Sequence, residues 1–235
     1  MAGNELLAGQ IEYYRRRAAE YDATSIGDVD AARERFRRLI ERLAPTGDVL
    51  EIACGTGLWT EHLAAHARTL TALDSAPEMI ELARSRVGNA RDFVVADVFE
   101  WEALRRYDSI FFGFWLSHVP QTRFGDFWRV LDRCLAPGGR VLFVDEGAPR
   151  ASWEEPGRCL ARPPLPVGEH ALSQRSAGGE RSEAVKRRLR DGSVYTIVKV
   201  FHEPGALVRA LAELGWSAEI DLTGDGLLVG VARRC

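Results

Sequence analysis

The chain predicts an α/β fold: a doubly wound, largely parallel sheet with helices on both faces. Three observations predict it. From residue 46 to 146, short apolar runs alternate with stretches of helical periodicity. The runs are continuously apolar rather than alternating, as in strands buried on both faces. A glycine-bearing turn, Cys54-Gly55-Thr56-Gly57, separates the first run from the first helix after it.

Taken in order, residues 5–21 carry apolar and aromatic side chains at helical spacing around Arg15, Arg16 and Arg17, and residues 30–43 form a second helix stopped by Pro45 and Gly47. Strand and helix then alternate: strand 48–53, helix 58–67, strand 68–74, helix 76–87 with Pro77 in its first turn, and strands 91–97 and 107–116. Residues 121–135 form a helix stopped by Pro137-Gly138-Gly139, and residues 140–146 a fifth strand. Residues 147–182 hold five of the ten prolines and read as an irregular insertion or lid. Asp191-Gly192, between two apolar-patterned runs, signals a β-hairpin within 187–201. A helix at 204–214 and strands at 216–221 and 227–232, joined by Gly224-Asp225-Gly226, complete an antiparallel edge.

With 235 residues, 46% hydrophobic and 28% charged, the chain reads as one globular domain, 1–235. A net charge of −3 argues against a nucleic-acid or anionic-membrane binder. The longest apolar run, near 111–116, is too short to span a bilayer, and the N-terminus lacks the order of a signal peptide. Cys54, Cys134, Cys159 and Cys235 lie far apart with no CxxC pair, which predicts reduced thiols in a cytoplasmic protein and no metal site. His62 and His66, one helical turn apart, have no third ligand nearby in sequence.

The glycine turn lets backbone approach a ligand while the following helix offers free N–H groups. Asp74 ends the second strand, nineteen residues after Gly55, where a carboxylate can accept from two ribose hydroxyls. Asp97 ends the third, within reach of an adenine amino group; both acids are equally placed to cap helices. The turn lacks the third glycine of a dinucleotide site, since Thr60 stands there, and this counts against a nicotinamide-dependent oxidoreductase.

In order and spacing, "LEIACGTG", "LTALDSAPEMI", "ADVFEW" and "LAPGGRVLFVDE" resemble the class I S-adenosylmethionine-dependent methyltransferases. The resemblance implies a Rossmann-like, seven-stranded sheet whose last strand is antiparallel. It divides the domain into an N-terminal helical cover (1–45), a donor-binding core (46–146), the lid and hairpin (147–202), and a C-terminal helix and strands (203–235). It implies S-adenosylmethionine as cofactor, S-adenosylhomocysteine as product and a small-molecule acceptor as partner. Gly55 and Gly57 would lie beside the methionine part, Asp74 on the ribose, and Asp97 and Val98 at the adenine, with Glu51, Ala53 and Trp59 also among the cofactor-binding residues. Ser75 and Met79 would flank the ring, although Met79 is equally a core residue. Phe114 or Trp115 would border the sulfonium methyl, or simply belong to the core. Ala53 departs from the family, which usually has glycine there.

His118, just past the fourth strand, suits a general base, an anion partner or a helix cap. "YYRRRAAEYDAT", "GFWLSHVP" and "RLRDGSVYTIVKVF" resemble more closely the phosphonate O-methyltransferases of dehydrophos biosynthesis. That likeness implies that Arg187 and Lys199 hold an anionic acceptor, with Tyr14 or Tyr21 covering the site and His118 an auxiliary donor. A two-residue hairpin loop, Asp191-Gly192, would put Arg187 and Lys199 on opposite faces; a three-residue loop, Asp191-Gly192-Ser193, would put them on one. The function expected is O-methylation of an acidic oxygen, phosphonate or carboxylate, in natural-product or antibiotic biosynthesis. The alternative is O- or N-methylation of an uncharged scaffold with His118 as base.

Overall fold

The computed structural model describes residues 2–88, 92–147 and 183–235. All of the expected lid, 147–182, beyond its first residue lies outside the described residues, and so does Cys159. Among the described residues the strands are β1 (Asp48–Ile52), β2 (Thr69–Asp74), β3 (Asp92–Val95), β4 (Tyr107–Gly113), β5 (Leu135–Glu146), β6 (Ala184–Arg188), β7 (Val194–Val198), β8 (Trp216–Leu222) and β9 (Leu227–Arg234). The helices are α1 (Ala2–Arg17), α2 (Val29–Leu43), α3 (Leu58–Leu63), α4 (Pro77–Val87), α5 (Gln121–Cys134) and α6 (Pro204–Glu213). Seven strands form one sheet in the order β3-β2-β1-β4-β5-β9-β8. The first five are mutually parallel, and β9 runs antiparallel to both β5 and β8. The expected Rossmann-like sheet with an antiparallel last strand is therefore present. The reversal at β9 comes from the Thr223–Gly226 turn, closed by Gly226 N–H donating to Thr223 O at 2.9 Å.

Alternation along each strand explains the continuous apolar runs. Leu50, Ile52, Phe112 and Phe143 point to a core with Phe127, Trp128 and Trp216. Val49, Phe111 and Leu142 point to the other face, against Phe36, Ile40 and Trp59. Asp28 caps α2, its Oδ1 accepting from Asp30 N (3.1 Å) and Ala31 N (3.0 Å). No described helix is long and apolar enough to cross a membrane.

Three boundaries differ from expectation. α1 ends at Arg17 rather than 21, because the Arg17 guanidinium folds back onto Thr24 Oγ1 and Tyr13 Oη and the chain continues through tighter and wider turns to Ile26. Pro137-Gly138-Gly139 does not separate α5 from β5. It lies inside a strand beginning at Leu135, where a bulge shifts the register between Tyr107↔Leu135 and Ser109↔Arg140. The hairpin β6–β7 stands apart from the main sheet and uses neither of the two anticipated registers. Its loop is Arg190-Asp191-Gly192, with Gly192 N–H donating to Leu189 O (3.0 Å), Gly192 at φ +89°, and Arg187 opposite Tyr195. Parity nevertheless matches the three-residue case: Arg187, Tyr195, Ile197 and Lys199 share a face, and the face packs on α1 through Tyr13, Ile197 and Leu189.

Candidate active site

The C-terminal ends of β1, β2 and β4 open onto a cavity, together with the chain after β3 and with α1 as its roof. It holds about 800 Å³ of empty space, continuous with solvent. At one end its wall contains Ala53, Asp74, Ser75, Met79, Asp97, Val98 and Phe114. Asp74 Oδ2 accepts from Gly55 N and Oδ1 from Ala76 N, both at 2.9 Å, and each oxygen keeps lone pairs for a diol. Burial pushes the Asp74 carboxyl up, against those backbone donors. Asp97 Oδ1 accepts from Phe99 N at 2.9 Å, so Asp97 caps a turn and lines the cavity at once. Ala53 and Phe114 stand in the left-handed region, at φ 54° and 57°, where L-residues are strained.

Four expected donor-site residues lie off the cavity wall. The N–H of Gly55 orients Asp74 instead. Gly57 has a packing reason to be glycine: a Cβ there would sit 2.9 Å from Ala83 Cα on α4. Trp59 stacks on Phe36, ring centroids 3.8 Å apart, behind the site. Glu51 is 1% exposed, and among the described residues neither of its oxygens has a hydrogen-bond partner in good geometry. Burial and the Asp74 charge raise its carboxyl to about 8, an effect that the facing Thr60 hydroxyl opposes.

At the other end, His118 ends a short helical turn after β4 and is 8% exposed. Its Nδ1 lies 2.8 Å from the Val198 carbonyl oxygen, which only accepts, so Nδ1 carries a proton. Burial, Lys199, Arg187 and Arg17 hold the imidazole well below its ordinary range, so it is neutral and Nε2 bears a lone pair. Tyr14 Oη lies 3.1 Å from Nε2 and therefore donates to it; burial keeps the phenol protonated. This corrects the expectation of His118 as a donor to an anion. Tyr14, Tyr21 and His118 all line the cavity.

Arg187 is not on the wall itself, but its charge acts on both Tyr14 and His118. Its Nη1 is buried and has no hydrogen-bond partner among the described residues. Lys199 is engaged elsewhere: Nζ lies 2.8 Å from Glu146 Oε2 and donates to Ser117 Oγ at 3.0 Å. The residue that sequence reasoning missed is Gln10. Buried on α1, it donates through Nε2 to His118 O (3.2 Å) and accepts at Oε1 from Val198 N (2.9 Å), holding α1, β4's end and β7 together. A lone glutamine at an apolar helix position carries no signal for such a role.

Comparison with known proteins agrees with this geometry. Residues 49–139 match the family described as Methyltransferase domain. Over 97% of both chains the fold superposes on the DhpI–SAH complex at TM-score 0.78 with 36% identity, and on the DhpI–SAM–HEP complex at 0.78 with 38%. The chain belongs to the class I S-adenosylmethionine-dependent methyltransferases. As a member of that family it uses S-adenosylmethionine, and the Asp74 and Asp97 carboxylates facing an open cavity fit a nucleoside. Curated relatives include nodulation protein S of Rhizobium tropici, 33% identical over 106 residues covering 42% of this chain and 43% of the relative. A malonyl-[acyl-carrier protein] O-methyltransferase of Paenibacillus sp. is 34% identical over 161 residues covering 61% and 56%. The chain thus spans about half the length of the curated relatives it matches.

Proposed function

We propose that this methyltransferase transfers the donor methyl group to an ionised oxygen of a small acidic natural-product intermediate. The observation that carries this is Arg187: its buried Nη1 has no hydrogen-bond partner among the described residues, and its charge acts on Tyr14 and on His118, whose imidazole is held well below its ordinary range. An ionised oxygen acid needs no base; it needs orientation and partial desolvation. S-adenosylmethionine supplies an electrophilic methyl group on its sulfonium. In this reading Asp74 holds the ribose hydroxyls and Asp97 the adenine amino group, with Ser75, Met79 and Val98 around the ring. Ala53 and the Phe114 side chain would border the methionine part, and the acceptor oxygen would have to be aligned with the donor methyl group for in-line transfer. Arg187 positions the anion, while Lys199, neutralised by Glu146, balances charge behind it. The relatives named as O-methyltransferases support oxygen as the target.

The decisive experiment is a methyl-transfer screen over phosphonates, carboxylates, phenols and amines. Acidic substrates should be turned over preferentially, and Arg187→Ala should raise the acceptor KM by roughly tenfold or more, leaving S-adenosylhomocysteine affinity near wild type. Preference for phenols or amines, with Arg187→Ala kinetically silent, would favour the uncharged-scaffold reading.

A further inference from the structure

The hydrogen bonds around His118 form a chain with one permitted direction. The Val198 carbonyl ends it and can only accept, so His118 Nδ1–H donates; in the neutral imidazole that burial enforces, Nε2 then accepts and Tyr14 O–H donates to it. The hydrogen of Tyr14 is thereby spent inside the protein. Its oxygen offers the cavity lone pairs alone, and any polar ligand group that meets it there must be a hydrogen-bond donor. Arg187, whose Nη1 has no hydrogen-bond partner among the described residues, lies close enough for its charge to act on the same tyrosine and calls for an anion. A ligand satisfying both is negatively charged on one oxygen and protonated on a neighbouring one.

The geometry points to an acceptor site that reads the protonation state of its substrate: it takes an oxygen acid in its singly protonated anionic form, as a hydrogen phosphonate or hydrogen phosphate ester. Tyr14 is the specificity-determining residue. This deepens, and rests on, the acidic-oxygen reading. A carboxylate at neutral pH has no proton to offer Tyr14, and a doubly ionised phosphonate sets charge against its lone pairs; each leaves a buried group unpaired. The ionised oxygens lie toward Arg187 and the O–H toward Tyr14. Methylation forms an O–CH₃ bond at an ionised oxygen and breaks the carbon–sulfur bond, whose electron pair stays on sulfur. The O–H is untouched, and the product, now a stronger acid, loses that proton to water on release.

The test is calorimetric titration of the full-length chain, saturated with S-adenosylhomocysteine, with ethylphosphonate, ethanesulfonate and propionate. Ethylphosphonate should bind roughly tenfold or more tighter than ethanesulfonate or propionate at about pH 6.5. Its affinity should fall about tenfold per pH unit above its second ionisation. The groups facing Tyr14 are Tyr13, Arg17, Tyr21, Arg187 and His118, with Lys199 acting on His118 from behind. Ethanesulfonate, which carries no proton in this range, reports their titration and should bind with a flat pH profile. Tyr14→Phe, which can neither donate nor accept at that point, should bring the three probes within a few-fold of one another and remove the excess pH dependence of ethylphosphonate. Ethanesulfonate binding as tightly as ethylphosphonate, equal pH profiles for the two, or discrimination surviving in Tyr14→Phe would each overturn protonation-state reading while leaving the anion site standing. Failure of all three probes to bind would overturn the acidic-oxygen reading, and this inference with it.

Discussion

At the scale of the single residue, Ala53 marks where the fold accepts strain beside its ligand cavity. Alanine at φ 54° costs about 1 kcal/mol relative to glycine, offset by the surrounding β1 and β2 ladder. Ala53→Gly should therefore raise the unfolding free energy by about 1 kcal/mol, read as a shift in thermal or urea midpoint with the denaturant slope unchanged. The donor residues legible in the sequence were those whose role follows from position at a strand end: Asp74 and Asp97 reach the cavity because parallel strands deliver their C-terminal residues there. Glu51, Gly57 and Trp59 share the same motif but serve the packing behind it, and spacing alone does not separate the two uses. The chemistry of His118 was less legible still. Its protonation follows from one carbonyl oxygen eighty positions away, which no local pattern encodes.

At the scale of elements, the segment between α1 and α2 is fastened to the glycine turn. Asp22 Oδ1 accepts from Thr56 Oγ1 at 2.6 Å, its Oδ2 lies 2.5 Å from Arg86 Nη2, and Arg86 also donates to the Thr56 carbonyl. The helical cover and α4 thus hold the turn from both sides. Asp22→Ala should leave the Arg86 charge partly buried without this carboxylate, lower stability by about 1–3 kcal/mol and weaken S-adenosylhomocysteine binding by roughly tenfold, measured by thermal shift and calorimetry. Binding unchanged despite lost stability would limit the clamp to folding. Strand and helix identities were legible because each is written in local periodicity. The hairpin register was not: Asp191-Gly192 announces a turn, but the choice of loop length depends on Arg187, Ile197 and Lys199 finding one face against α1.

At the scale of the whole molecule, the buried Glu51 couples stability to pH. Its carboxyl is raised from the ordinary 4.5 to about 8, so between those values the folded state keeps a proton that the unfolded chain has lost. The folded state then binds more protons, and its stability falls as pH rises through that window. Glu51→Gln removes the dependence. The Tm of wild type relative to the variant should drop progressively from about pH 5 to about pH 8, and equal Tm differences at both ends would refute the assignment. The seven-stranded sheet with an antiparallel last strand was legible through family resemblance, whereas the place of β9 between β5 and β8 follows from no single stretch of sequence.

The amide clasp of Gln10 has a temporal meaning. It joins positions 188 apart, whereas the donor half of the cavity is woven from one continuous stretch of chain. Closing a loop of that length costs more chain entropy than the local contacts of the sheet core, and the cost is met only when both ends are in place. A two-strand hairpin is marginal alone, so β6–β7 persists through its seat on α1. On the proposed reading, the hairpin and its clasp are the part whose local opening would admit the acceptor while the main sheet stays folded.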